Sequence, residues 1–447
     1  MGIPSPATVS TKRERVAELA KQMPGTALTS LSHHIDLKWM REAYRLTRKD
    51  GAVGIDGQSA RDFAENLDEN LQSLLDRAKS GRYRTPAVRR VHIPKGKGET
   101  RPIGIPTFED KVLQRAVVMV LEPIYEQDFL DCSYGFRPGR SAHQALEATW
   151  RGLMKMSGGW VLDLDIQSFF DALDRTKLQQ MLHQRVNDGV VKRLVGKWLN
   201  AGVMESGQLS YSETGTPQGG VASPLLANIY LHEVLDLWFH RQVTPRLKGR
   251  AFLVRFADDA VLCFELKDDA RRVMDVLPKR LGRYGLTLHP EKTRLVEFRR
   301  PPRNTKRIDR DGSTRPGSFD LLGFTHYWGL SRKGSWVLKR KTAKGRLSRA
   351  IVTIAQWCRR NRHLPVKEQH AKLVLKLRGH YAYYGITGNG RSLSSFHLYA
   401  KRAWRKWLNR RSNRVHMGWV KFGRLLERYP LPPAVVVHSI YRRPASP

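Results

Sequence analysis

The sequence predicts an α+β protein in which an acid-bearing antiparallel sheet lies between two largely helical regions. Three observations carry that prediction. Apolar residues recur at three- and four-residue spacing through Leu37, Met40, Tyr44, Phe63, Leu67, Leu71, Leu74 and Leu75, and again through Trp357, Leu373, Leu377, Tyr381, Trp404 and Trp407. The stretch WVLDLDI alternates with period two: Trp160, Leu162, Leu164 and Ile166 share one face, Val161, Asp163 and Asp165 the other. AFLVRF-ADDA-VLCFEL, from Ala251 to Leu266, reads as two apolar strands around an acidic turn, a hairpin.

The remaining elements follow in order. Residues 1–30 contain Pro, Thr and Lys and read as a flexible segment. A Gly-rich turn, GAVGIDG, separates the first helices. VRRVHIP, KGKGET and RPIGIPT give two short strands around a basic turn. Ser141 opens a helix through a capping box with Gln144. SPLLANIYLHEVLDLWF, Ser223 to Phe239, is an amphipathic helix with Pro224 in its first turn. Asp268 to Arg283 is helical, Gly285 to Phe298 is a turn and a strand, residues 299–318 form a surface loop, and Phe319 to Trp328 is the last strand pair. From Lys339 onward the pattern is helical and basic.

The chain has 447 residues with 79 Lys/Arg against 41 Asp/Glu, a formal charge of +38. The charge is asymmetric: Ser331 to Pro447 holds 28 of the bases and only two acids, Glu368 and Glu427, a net +26 in 117 residues. Such a balance points to nucleic acid as partner. Cys132, Cys263 and Cys358 are far apart, which argues against a disulfide framework or a CxxC zinc site and fits a reducing compartment. No apolar run approaches the roughly 20 residues of a membrane span, and the first residues have no apolar core of a signal peptide. A cytoplasmic, nucleoid-associated protein without membrane contact is expected.

Asp165, at the end of one strand, and Asp258-Asp259, at a hairpin tip, can meet if their strands share a sheet. Clustered carboxylates on a rigid sheet suit a hard divalent cation such as Mg²⁺. Asp-Asp in a turn is, by itself, an ordinary polar hairpin. Its company gives it weight.

That company is a series of ordered blocks: HIPKGKGETRPIGIPTFEDKVLQRAV, SYGFRPGRSAHQAL, LDLDIQSFFDALD, TPQGGVASPLLANIYL, RFADDAVLCF, GLTLHPEKTRL, LLGFTHYW and LRGHYAYYG. From about Leu37 to Leu408 the chain resembles the group II intron-encoded reverse transcriptases, or maturases, of the type lacking an HNH endonuclease domain. The resemblance implies a right-hand polymerase with helical/β fingers, an antiparallel-sheet palm and an all-α thumb. The implied boundaries are mainly fingers over 31–158, mainly palm over 159–330 with a fingers segment near 175–215, a thumb or X domain over 331–412, and a short basic tail over 413–447. It further implies that Asp165, Asp258 and Asp259, with the Ile166 carbonyl, hold two Mg²⁺ ions for which Mn²⁺ could substitute. Lys95 and Arg101 would grip the nucleotide triphosphate, long cations being suited to phosphate. Gln218 would lie near the templating pair, Phe170 would exclude a ribose 2′-OH, and Lys292 would act beside the pyrophosphate as a proton donor. Phe169 reads as core, and Asp163 and Asp171 as supporting or helix-capping acids.

In the basic C-terminal region Trp404 and Trp407 read as helix core, and Arg402, Arg405 and Lys406 as RNA contacts. Two departures from the family stand out. Phe256 replaces the usual Tyr of Tyr-Ala-Asp-Asp, and the tail from Ser412 has neither Cys nor an HxxxN pattern, so no DNA cleavage is expected. The implied activity is RNA-directed DNA synthesis on an RNA template with a DNA primer and dNTPs. Binding of structured group II intron RNA, to assist splicing and retrotransposition, would accompany it. The competing readings are a domesticated enzyme of DNA repair or phage defence, and a non-catalytic RNA-binding splicing cofactor.

Overall fold

The computed structural model describes residues 8–96, 99–205, 208–211, 219–302, 316–412 and 416–439. Side-chain caps set the helix starts. Thr8 caps α1 (Val9–Gln22) and Asp36 caps α2 (Leu37–Leu46). Ser59 and Asp62 form a capping box on α3 (Ala60–Ala64), and α4 (Leu67–Ser80) stops at Gly81, which takes the left-handed conformation. Two strands follow, β1 (Val88–Gly96) and β2 (Glu99–Ile105), then α5 (Phe108–Asp128), capped by Thr107. In α6 (Ala142–Met156) the first-turn amide of Gln144 donates to Ser141 Oγ at 3.3 Å. Next come β3 (Trp160–Leu164), α7 (Phe169–Ala172), α8 (Arg175–Arg185), α9 (Gly189–Leu199), β4 (Val203–Glu205) and β5 (Gln208–Ser210). The helix α10 (Ser223–Leu231) continues through two π-helical turns, His232–Asp236 and Phe239–Val243. After it lie β6 (Ala251–Phe256), β7 (Asp259–Phe264), α11 (Lys267–Gly282) and β8 (Arg294–Glu297). Last are β9 (Phe319–Leu321), β10 (Phe324–Leu330), β11 (Trp336–Thr342), α12 (Lys344–Arg360), α13 (Val366–Tyr384), α14 (Gly390–Asn409) and α15 (Trp419–Arg428).

Three sheets result, with strand orders β2-β1-β4-β5, β6-β7-β3-β8 and β11-β10-β9. The basic hairpin pairs Arg89 with Ile105 and Ile93 with Arg101, and its register shifts between Pro94 and Gly96. β1 also pairs in parallel with β4, Val88 facing Val203.

The chain divides into two compact units that interleave along the sequence. The first takes the described parts of Met1–Ala145, Leu164–Leu262 and Asp268–Arg294. Its central helix is α5, buried through Val112, Leu113, Ala116, Val117 and Val120, with Trp39 Nε1 donating to Ala116 O at 2.9 Å. The second unit takes Leu146–Asp163, Cys263–Lys267 and the described parts of Leu295–Pro447. Its helical core gathers Leu373, Leu377, Tyr381, Phe396, Trp404 and Phe422, and Trp404 Nε1 donates to Gln369 Oε1 at 3.0 Å. Asn389 ties β11 to the helices: its Oδ1 accepts from Thr342 N and its Nδ2 donates to Thr342 Oγ1 and Tyr384 O, each at 2.8 Å.

Three expectations change. Residues 9–22, expected within a flexible segment, form α1 with Val16 and Ala20 buried. The helical pattern expected from Lys339 begins instead at Lys344, because Trp336–Thr342 is a strand, so the region 331–412 is not all-α. The helix expected to end at Phe239 runs on through its second π-helical turn to Val243. Among the described residues no helix is long and apolar enough to cross a membrane.

Candidate active site

β3 delivers Asp165 just past its last residue, and the loop before β8 packs directly on it. His289 N donates to Asp165 O at 2.8 Å, and the Asp165 amide donates to Thr293 Oγ1 at 3.4 Å. Ile166 bridges Leu288, and Gln167 N donates to Thr287 O at 2.9 Å. This clamp brings Lys292 Nζ to 3.5 Å from Asp165 Oδ2. Lys292 and Asp165 are, respectively, 51% and 36% exposed, so a solvent-borne ligand can reach both.

β6 and β7, which neighbours β3 in the sheet, carry the other two carboxylates. Asp258 lies in the tight turn and is half-buried; Asp259 opens β7 and is exposed. The residue before them, Ala257, is buried with φ of +57°, a conformation that costs a non-glycine residue energy and persists only when its surroundings hold it. Two features do so. Arg255, fully buried, donates from Nη1 to Ala257 O at 3.1 Å and to Asn228 Oδ1 at 2.9 Å. From the other side comes the SYGF segment, where Tyr134 N donates to Arg255 O at 2.9 Å and Asn228 Nδ2 donates to Gly135 O at 2.7 Å. A Cβ on Gly135 would stand 2.2 Å from Ala257 N, so only glycine lets this backbone approach.

The Arg255 charge is held by Asp236, with Nε to Oδ1 at 2.8 Å and Nη2 to Oδ2 at 2.6 Å. Burial works to raise the Asp236 carboxyl, but the guanidinium outweighs it and holds the group below its ordinary range. Ser133 Oγ accepts the other Nη2 bond at 2.8 Å. Thus the guanidinium is saturated with acceptors, as a buried charge requires.

A second buried network reaches the segment that follows Gly219 and Gly220. Asp110 Oδ1 accepts from Tyr83 OH and Trp198 Nε1, both at 2.7 Å, and its Oδ2 accepts from Gln114 Nε2 at 3.1 Å. Gln114 Oε1 then accepts from Ala222 N at 3.1 Å. Burial pushes the Asp110 carboxyl up to about 6, against the lowering effect of those hydrogen bonds. Gly219, with φ of +121°, lies against β2: a Cβ there would stand 2.5 Å from Gly104 O.

Other expected site residues fall as follows. Phe169 is buried and Phe170 half-buried, their rings 5.3 Å apart. Arg101 is exposed on β2, and Lys95 lies on β1 at the irregular register. Gln218 lies outside the described residues. Arg402 and Lys406 are exposed on α14. Arg405 is half-buried: its guanidinium lies 4.1 Å from the Trp419 ring and Nη1 donates to Met417 O at 3.0 Å. Sequence reasoning missed Arg255, Asp236, Asn228 and Gly135. The signal was there for the first two, single charges inside the apolar runs AFLVRF and VLDLWF.

Three carboxylates and a backbone carbonyl are oxygen-only donors, the set that suits a hard divalent cation. Among the described residues no group of three or more His, Cys, Asp or Glu side chains is placed to hold a metal ion by itself. Mg²⁺ does not require one, since it is held through one or two carboxylates with waters and substrate phosphates completing its shell. The donor chemistry therefore fits the ion.

Carboxylates at a strand end and at the tip of a neighbouring hairpin are a set that metal-assisted phosphoryl-transfer enzymes use. The model for the reverse transcriptase (RNA-dependent DNA polymerase) family matches residues 93–326, and the chain belongs to that family. It is 36% identical over 329 residues to Protein YkfC of Escherichia coli (strain K12), covering 64% of this chain and 84% of that protein. It is 42% identical over 203 residues to the group II intron-encoded protein LtrA of Lactococcus lactis subsp. cremoris, covering 43% of this chain and 33% of the relative. It also resembles nuclear intron maturase 2, mitochondrial, of Arabidopsis thaliana, 28% identical over 174 residues, covering 30% of this chain and 24% of that one. The chain thus spans most of the first relative but a third or less of the other two. Reverse transcriptase domains generally use divalent metal ions.

Proposed function

We propose that this reverse transcriptase extends a DNA primer on an RNA template and also binds structured group II intron RNA, assisting splicing and retrotransposition. Asp165, Asp258 and Asp259, with the Ile166 carbonyl, would hold two Mg²⁺ ions. When bound, such a pair stabilises the attacking and leaving oxygens of an in-line displacement at phosphorus. The protein's own residues do the rest. Lys95 and Arg101 on the basic hairpin bind the triphosphate. Gln218 and the glycines after it face the templating pair. Phe170 packs against the sugar. Lys292 protonates the leaving pyrophosphate, and between turnovers it neutralises Asp165.

Fingers over 31–158, palm over 159–330 and thumb over 331–412 are the matching division of labour, with Arg402 and Lys406 as RNA contacts. The observation that carries the reading is the clamp that sets Lys292 3.5 Å from Asp165 at the end of β3. Primer extension on an RNA template with Mg²⁺ tests it. Asp258→Ala is expected to abolish extension; full activity in that variant would sink the metal assignment.

A further inference from the structure

One face of α11 and the π-helical continuation of α10 enclose a cleft of about 360 Å³ that shares no residue with the site of Asp165, Asp258 and Asp259. Its volume lies in the range of ligand sites. Arg272, Val276 and Lys279, at steps of four and three residues on one face of α11, line one wall together with Arg283 just past the helix end. Trp238, Gln242 and Arg246 line the other at four-residue steps. Five of the eleven lining residues are Arg or Lys, and none is acidic.

The five cations are not equivalent. Arg280 is a strut: Nε donates to Val234 O and Nη2 to Glu233 O, both at 3.0 Å, and its guanidinium lies 4.6 Å from the Tyr284 ring. Those two carbonyls belong to the π-helical turn His232–Asp236, and turns of this kind concentrate at functional sites. Arg246 donates to Gln242 O. Among the described residues Arg272 makes a long contact of 3.8 Å to Asp269 Oδ1, while the other oxygen of that carboxylate accepts from the amides of Lys248 and Gly249 at 3.0 and 2.8 Å. Lys279 sits in the last turn of α11 and Arg283 follows one residue past its end. A wall with Arg272, Lys279 and Arg283, and no acid in the cleft, is relieved by an anion.

We infer that this cleft binds the phosphodiester backbone of RNA, separately from the polymerase site. Arg offers paired donors to phosphate oxygens. Val276, 46% exposed between Arg272 and Lys279, offers an apolar surface to sugar and base. RNA is the polyanion that a reverse transcriptase has at hand, so the choice of RNA rests on the family reading, whereas the anion site rests on the cleft alone.

The test uses the full chain carrying Arg272→Gln, Lys279→Gln and Arg283→Gln together, with Arg272→Lys/Arg283→Lys as the charge-keeping control. Three measurements are made: affinity for a structured RNA hairpin across a salt series, the same for a DNA duplex of matching sequence, and extension of a short template–primer. The triple Gln variant is expected to bind the hairpin more weakly and to flatten the slope of log K against log salt by about 2–3. It should extend the short primer at the parent rate and keep the parent thermal midpoint. The Lys control should keep the parent slope. An unchanged slope and affinity for RNA would overturn the inference. So would an equal loss for the DNA duplex, which would mark a general polyanion surface, or a lowered midpoint with loss of extension, which would make the cleft structural. Parent-rate extension with a flattened slope would support the cleft whatever becomes of the metal assignment.

Discussion

Arg255 and Asp236 form a bidentate ion pair with both side chains fully buried, and the same guanidinium holds the carbonyl of Ala257, the residue before Asp258. The pair therefore has two separable consequences, one for stability and one for the turn. Removing one partner of a buried pair costs about 3–5 kcal/mol, so Asp236→Asn is expected to lower the thermal midpoint sharply. Replacing both, as Arg255→Met/Asp236→Leu, should restore much of the stability. It should not restore primer extension, because nothing then holds the Ala257 carbonyl. Full extension by the double variant would show that the pair only stabilises. The pH dependence follows from the depressed Asp236 carboxyl. A group held below its ordinary value of 3.8 contributes fully above that value and loses its contribution as pH falls below it. Acid unfolding of the double variant should accordingly be shallower in that range.

Gly135 gives a sharper prediction from geometry alone. Its backbone passes so close to Ala257 that a methyl group would meet a backbone nitrogen, which cannot swing aside as a flexible side chain can. Gly135→Ala is expected to cost about 1–3 kcal/mol of overpacking and to displace the Asp258 turn. Extension should fall more than the stability loss explains at a temperature where the variant is still folded. Extension at the parent rate would show that the turn tolerates the shift.

Much of this was legible in the sequence, and the failures have physical causes. The hairpin around Asp258-Asp259, the strand ending at Asp165 and the capped helix after Ser141 all announced themselves by period or by cap. β11 did not. Its buried positions are Trp336, Leu338, Arg340 and Thr342, so the inward face carries an Arg and a Thr where an apolar alternation would have shown a strand. α1 was missed because its mean character is polar, with only Val16 and Ala20 buried. The supports of the active turn escaped for a different reason. Gly135, Asn228, Asp236 and Arg255 lie far apart in the chain, and only folding brings them together. Motif spacing could name candidate ligand-facing residues, but not those that hold them in place.

Asp110 couples pH to the contact between Gln114 and the Ala222 amide. With its folded value raised to about 6 from 3.8, the native protein holds a proton between those values that the unfolded chain has released. Stability from this group therefore falls as pH rises through that window, and the cost of the buried charge is complete above it. Asp110→Asn removes the titration. It also places an amide donor opposite Gln114 Nε2, which forces the Gln114 amide to turn and meet the Ala222 N–H with a second donor. A loss of about 1–3 kcal/mol is expected from the unsatisfied pair, with a flatter stability profile between pH 4 and 6. An unaltered profile would remove Asp110 as its source.

Lys292 acts on Asp165 as counter-charge and, in the proposed mechanism, on the leaving group as acid. Lys292→Met keeps the stem and removes both. General acid catalysis is worth about 10²–10⁴-fold, so kcat should fall by that order while KM for the dNTP changes little. Lys292→Arg keeps the charge, which shields Asp165, but is a poor proton donor near neutral pH. Its partial rescue should be seen in metal affinity and not in kcat. A rise in KM alone, with kcat kept, would assign Lys292 to ground-state binding.

Phe169 and Phe170 test the sugar pocket as a matched pair. The first is buried against Tyr230 with ring centroids 6.4 Å apart; the second is half-buried and packs edge-on against the first. Shortening Phe170 to Val should open the space that a 2′-hydroxyl needs. The gain is that of a steric contact, so ribonucleotide use should rise relative to deoxynucleotide use by about 10- to 100-fold, with the thermal midpoint nearly unchanged. Shortening Phe169 to Val should do the reverse, lowering the midpoint through a core cavity with little effect on sugar choice. Equal discrimination in the parent and the Phe170 variant would move the gate elsewhere in the site.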